Sequence, residues 1–189
     1  MIFFTSDSHF GHANIIRYCN RPFNDVHEMD KTIVANWNSV VGPKDTVYHL
    51  GDFSFGNAFV YLEQLNGFIY HICGNHEKPL LNAVGINKVP FIRTAKIPNC
   101  PDIVMSHFAM RVWNKSHFNS WHLYGHSHGT LPGQGKSFDV GVDCWNFTPV
   151  SLDQVALKMQ TLPDNFNYLR RLPGYDQGEF EAARVANED

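Results

Sequence analysis

Five short apolar runs in this chain break off at polar clusters of one chemical kind, and no other feature constrains the fold as strongly. MIFFT stops at Asp7-Ser8-His9, and DTVYHL stops at Gly51-Asp52. FIYHIC runs into Gly74-Asn75-His76-Glu77, and later runs end in Ser106-His107 and Gly125-His126-Ser127-His128. Brief β-prone runs bounded by glycine and polar residues read as buried strands entering loops. Helical patterns separate the first three. Residues 25–41 place Val26, Met29, Ile33, Val34, Trp37 and Val40 or Val41 at helical spacing. Asp25 is the cap, Glu28 completes a capping box and Gly42-Pro43 ends the helix. NAFVYLEQLNG reads as a short helix closed by Gly67. Strand, helix, strand, helix, strand points to right-handed βαβ crossovers.

From Lys88 onward FIRTAKI, DIVMSHF, WHLYGHSHG and SFDVGVDCW alternate with proline and glycine. They read as a second, mixed or antiparallel sheet. Residues 151–161 form a last helix with Ser151 as its cap. The reading is one domain over 1–162 and a C-terminal extension over 163–189, docked or partly disordered.

A net charge of −3, a pI near 6.4 and the lack of a Lys/Arg run give sequence-blind nucleic-acid binding little electrostatic support. No run approaches the ~18 apolar residues of a membrane span, so no membrane partner is expected. The N-terminus lacks a basic segment and a small-residue cleavage site, so no signal peptide is expected. Cys19, Cys73, Cys100 and Cys144 make no C-x-x-C, which suits a reduced cytoplasm. Histidine, at 11 residues, is the one unusual count.

Taken singly, each cluster is an ordinary polar strand end. Five in succession, all built from Asp, Asn or His, argue for one shared site at a sheet edge, where open α/β folds place their ligands. Residues i and i+2 of an extended chain share a side, so Asp7 with His9, and His126 with His128, can each offer two donors. Flanking glycines let the backbone turn sharply. The donors are imidazole, carboxylate and one amide, which favours Mn, Fe, Zn, Ni or Co over a Cys-rich structural zinc. Seven donors exceed the needs of one tetrahedral ion, so two ions follow, with Asp52 the natural bridge. Their charge, beyond what Asp7, Asp52 and a hydroxide cancel, suits a phosphoryl group. His27, His49, His71, His117 and His122 read as surface or satisfied histidines. His12 either lines the pocket or supports the loop.

The order D-x-H, G-D, G-N-H-E, a lone H and G-H-x-H resembles the calcineurin-like metallophosphoesterase superfamily. SDSHFGHANII, NRPF and VYHLGDF resemble its small single-domain bacterial and phage members. The resemblance implies an α/β fold of four layers, αββα, with two mixed sheets flanked by helices. It implies that Asp7, His9, Asp52 and His128 hold one metal and that Asp52, Asn75, His107 and His126 hold the other. His76 would contact phosphate and protonate the leaving oxygen, after attack by a metal-bridging hydroxide. Glu77 stands where Asp is commoner, in a supporting role.

The expected function is hydrolysis of phosphate mono- or diesters with two divalent transition ions, manganese first among them. The substrate would be a small phosphate ester. A binding or scaffolding role on the same fold is the alternative of another class, and a nuclease is a third that the negative charge disfavours. Arg17, Arg21, Arg111 and Asn114 are candidates for phosphate oxygens. Trp145 is either a stacking wall or core.

Overall fold

The computed structural model describes residues 1–85 and 89–169. In the first sheet β1 (Ile2–Thr5), β2 (Thr46–His49) and β3 (Phe68–His71) run parallel. The two-residue β8 (Val150–Ser151) pairs antiparallel to β1, giving the order β3-β2-β1-β8. The second sheet has the order β4 (Ile92–Ala95), β5 (Ile103–Ser106), β6 (Trp121–Tyr124), β7 (Ser137–Asp139). It is mixed: β4 is antiparallel to β5, and β5, β6 and β7 are mutually parallel.

Successive strand residues face opposite sides, and β1 shows how this builds the layers. Phe3 joins a core with Met29, Ile33 and Trp37 of α2 (Val26–Val40). Phe4 joins a second core with Ile103, Met105 and Leu123 of the facing sheet. Ile15 of α1 (Ala13–Tyr18), Ala58 of α3 (Ala58–Leu62) and Leu80 of α4 (Lys78–Val84) enter the first core. α5 (Leu152–Thr161) sends Val155 and Met159 into the second. Residues 109–120, including a 3-10 turn at Ser116–Phe118, fold over the second sheet and set Trp113 against His122. The molecule is thus an α/β fold of two mixed sheets flanked by helices. No described helix is long and apolar enough to cross a membrane.

α2 forms where its apolar spacing places it, because Met29, Ile33 and Trp37 share one buried stripe. Each such burial contributes about 1.5–3 kcal/mol, and the three together outweigh the cost of nucleating a helix. Asp25 accepts from the Glu28 N–H at 2.8 Å, as a cap should. The Glu28 carboxylate, however, accepts from the Asn24 backbone N–H at 2.8 Å and not from Asp25, so the box closes one residue early. α5 has the reciprocal box, with Ser151 N–H donating to Gln154 at 2.9 Å and Gln154 N–H to Ser151 Oγ at 3.3 Å.

Several local readings are corrected. α3 ends at Leu62, and Gly67 instead makes the turn into β3 with φ 95°. SFDVGVDCW is not one strand. Asp139 Oδ1 accepts the Gly141 N–H at 2.7 Å, and this local turn stops β7 before a 3-10 turn at Val142–Cys144. α1, α4 and β8 are additional elements. Past Pro163 the chain docks: Asn165 Nδ2 donates to Ser116 O at 2.9 Å and Ser120 O at 3.0 Å. The rest of the expected extension, from residue 170, lies outside the described residues.

Candidate metal centre

Every cluster leaves the carboxyl end of its strand, and backbone hydrogen bonds lash the resulting loops together. Asp7 N–H donates to Gly51 O at 3.0 Å and His9 N–H to Asp52 O at 3.0 Å. Gly125 N–H donates to His107 O at 2.9 Å. Bonds also stitch the first sheet to the second, among them Val142 N–H to Ser6 O at 3.0 Å and His126 N–H to Asp7 Oδ2 at 2.9 Å. Gly125 is obligatory at this seam, because a Cβ there would collide with Ser6 and Asp7. Gly51 is too, since its Cβ would lie 2.6 Å from His107 Nδ1 and 2.7 Å from Gly74 Cα.

Asp7, His9, Asp52, His126 and His128 all adopt left-handed backbone, with φ of 58°, 52°, 55°, 65° and 46°. This corrects the strand-alternation argument for the two D-x-H and H-x-H pairs. They converge through turns, at a cost on the order of 1–2 kcal/mol per residue, and strain of this kind gathers at functional sites.

Besides a group of Cys19, His128 and Asp143, two triads result from the clusters, each with ligand atoms within 4.8 Å of one another: Asp7, His9 and His128, and Asp52, His107 and His126. Asp52 Oδ2 stands between them, 3.6 Å from His9 Nε2 and 3.6 Å from His107 Nε2. His9 Nε2 is also 3.9 Å from Asp7 Oδ1. Asn75 Oδ1 lies 2.9 Å from His107 Nε2, on the side of the second triad. Asp7, His9, Asp52 and His107 are buried, whereas Asn75, His76 and His126 are exposed. The cluster therefore has a dry floor and an open rim.

The electrostatics ask for a cation. Burial, aided by the Asp139 and Asp52 carboxylates, pushes the Asp7 carboxyl up to about 8, although His128 opposes this. Burial first, then Arg21, pulls the His9 imidazole far below its usual value, so the ring is neutral. Asp7 Oδ1 and His9 Nε2 are among the described buried atoms with no hydrogen-bond partner. His107 uses Nδ1–H to donate to Leu50 O at 2.9 Å, which turns its Nε2 lone pair toward the oxygens of Asn75 and Asp52. Acceptors facing acceptors at these distances repel unless a positive ion lies among them. The donor set fits a divalent ion in each triad.

The surrounding residues sort into supports and bystanders. The His76 N–H donates to Asp52 Oδ1 at 2.9 Å, and its ring stands 6.2 Å from that of His9 and 4.9 Å from that of Phe55. Glu77 is buried and accepts from Phe53 N–H and Gly74 N–H, each at 3.3 Å, and burial lifts its carboxyl to about 7. His12 packs against His9 and Phe55. Its Nδ1 is 3.4 Å from His9 Nδ1 and its ring stacks on Phe55 at 3.7 Å.

Arg17 is exposed and reaches over the Tyr18 ring at 5.5 Å. Arg111 is exposed near the Phe166 ring, 6.0 Å away, beside a depression that shares no lining residue with the triads. Trp145 is structural, its indole N–H donating to Asp139 O at 3.1 Å. Arg21 is buried against Asp143, a residue the sequence did not single out and whose Oδ2 lies 2.7 Å from His128 Nδ1. For His128, burial pulls the ring down, but the Asp143 hydrogen bond and Asp7 outweigh it and leave it above its usual value. Of the remaining histidines, His122 and His49 are buried and hydrogen-bonded, and His27 is exposed.

A depression of about 550 Å³ opens beside His126 and His128, lined also by Tyr18, Asn20 and Thr130. Another, of about 680 Å³, opens beside Asn75 and is lined by Lys78 and Phe91.

Fold and site together define an α/β protein of two mixed sheets with a carboxylate–imidazole cluster at the strand ends. No protein-family model matches the sequence. The chain is 39% identical over 169 residues to the uncharacterized protein MJ1445 of Methanocaldococcus jannaschii, covering 82% of this chain and 89% of that one, and it belongs to the same family. It is 29% identical to the gene 66 protein of Mycobacterium phage L5, over 80% of this chain and 90% of the phage protein. The crystal structure of AQ665 from Aquifex aeolicus, a protein of unknown function, shares the fold with a TM-score of 0.67 and 24% identity, covering 84% of this chain and 98% of that one.

Proposed function

We propose that this protein hydrolyses small phosphate esters with two divalent transition ions. Asp7, His9, Asp52 and His128 hold one ion, and Asp52, Asn75, His107 and His126 hold the other. The observation that carries the reading is the single oxygen Asp52 Oδ2, placed 3.6 Å from an imidazole nitrogen of each triad. Bound there, such ions supply Lewis acidity to a phosphoryl oxygen and make water nucleophilic near neutral pH.

The chain's own groups do the rest. The neutral His9 and His107 present lone pairs without first losing a proton. The buried floor excludes bulk water and strengthens every charge interaction within it. His76, exposed on the rim and held by its backbone bond to Asp52, delivers a proton to the departing oxygen. The two depressions have room for the ester groups. Arg21 is not a phosphate ligand, since its guanidinium is bound to Asp143.

The test is a panel of mono-, di- and cyclic phosphate esters, assayed after chelation and again with Mn²⁺ restored, beside elemental analysis. Two ions per chain and metal-dependent turnover are expected. Asp52→Asn should weaken both sites, and Asp7→Asn chiefly one. Two bound ions with no turnover of any ester would support a binding role instead. One ion or none at saturating Mn²⁺ would overturn the dinuclear reading.

A further inference from the structure

Arg21 lies after α1, in a part of the chain with no triad residue of its own, yet it is buried and every one of its donors is used. Nε–H donates to Asp143 Oδ1 at 2.8 Å, and Nη2 donates to Asp143 Oδ2 at 2.8 Å and to Asp7 O at 2.7 Å. Nη1 donates to Ser8 O at 3.1 Å and to Met29 Sδ at 3.4 Å. A guanidinium has five N–H groups, and these five contacts exhaust them. Asp143 is shared in turn, its Oδ2 meeting His128 Nδ1 at 2.7 Å. One continuous chain of bonds thus runs from the Asp7-Ser8 carbonyls through Arg21 and Asp143 to the His128 ring. Asp7 and His128 are both in left-handed backbone, a conformation that needs outside support to persist.

We infer that Arg21 and Asp143 are positioning residues that set the ion affinity of the Asp7–His9–His128 triad. The inference rests on the dinuclear reading above and goes beyond it, because it makes the two ions separable. Asp143 takes the Nδ1–H of His128, which fixes the ring's rotation and leaves the Nε2 lone pair for an ion. Arg21 holds Asp143 in two-point contact and, through the carbonyls of residues 7 and 8, fixes the turn that aims Asp7. The second triad receives no bond from either residue. Lysine cannot substitute, since an ammonium lacks the planar fork that spans a carboxylate and two carbonyls at once.

The experiment titrates Mn²⁺ alone into chelated full-length protein by calorimetry, with the two binding events assigned by the His9→Asn and His107→Asn variants. Asp143→Asn, which keeps the side chain's shape, and Arg21→Lys are then compared with the native chain, with circular dichroism recorded beside each titration. The expected result is a loss of about 10- to 100-fold in affinity at the Asp7–His9–His128 event, with the other event unmoved. Unchanged affinity at both events would overturn the inference. So would equal weakening of both, or failure of both variants to fold, since the pair would then merely support the fold. If the native chain binds no Mn²⁺, the dinuclear reading has failed first, and that outcome is recognisable without any variant.

Discussion

His76 is tied to the cluster through its backbone rather than through its ring. Its backbone N–H donates to Asp52 at 2.9 Å, while its ring stands at the rim beside Phe55. In the proposed role of proton donor, its benefit would depend on how badly the leaving oxygen needs a proton. An alkoxide needs one and a nitrophenolate does not. His76→Ala is expected to keep both ions, to lose ~100- to 10,000-fold on alkyl or nucleoside phosphate esters, and to lose clearly less on nitrophenyl esters. Equal losses on both would assign His76 to phosphate positioning. His122 makes a different kind of prediction. Its Nδ1–H donates to Val104 O at 3.0 Å, and its Nε2 accepts the Met110 N–H at 3.0 Å. A proton on Nε2 would face that N–H, and burial, against the smaller opposing effect of Val104, lowers the ring to about 4. The unfolded chain therefore binds the proton more readily, so stability falls as pH drops from about 6.5 toward 4. This ring accounts for up to about 3 kcal/mol of that loss. Urea unfolding of His122→Gln across this range should show a flatter pH dependence than the native chain.

At the scale of elements, α2 was legible because its signal is long and redundant. Met29, Ile33 and Trp37 repeat at helical spacing between a cap and a Gly-Pro stop. Trp37→Ala removes the largest of these and strands the Asn66 carbonyl that accepts the indole N–H at 2.9 Å. It should cost about 3–5 kcal/mol in denaturant melts, and a loss under 1 kcal/mol would mean that the first core repacks. α1 has six residues and β8 two, too few for periodicity to emerge. The candidate ligands were legible as residue types at strand ends, but the left-handed turns that aim them were not, because Asp and His, though enriched there among non-glycine residues, adopt such a backbone too rarely to signal it. Arg21 and Asp143 were invisible as partners for a simpler reason. They are 122 residues apart, and although Arg21 stands within NRPF, no motif marks Asp143.

For the whole molecule, a cation that binds only the folded chain must stabilise it, by about 2.7 kcal/mol when free ion reaches 100 times its dissociation constant. Mn²⁺ should raise the melting temperature and chelation reverse it, while Asp52→Asn should lose most of the shift. A melting temperature indifferent to Mn²⁺ would count against native-state sites. The seam between the sheets carries one more consequence, for the order in which the protein comes into being. Ser6 and Asp7 are joined to Val142 and His126, so the two ends of the centre are separated by most of the domain's length. Contacts of such separation form only after the intervening chain has been gathered in. On the ribosome the first sheet can begin to assemble once β3 has emerged, but the cluster has no second wall until residues beyond Val142 are free. The proposed ion capture would then be a closing event of biogenesis, and a nascent chain stalled short of that point carries half a cradle.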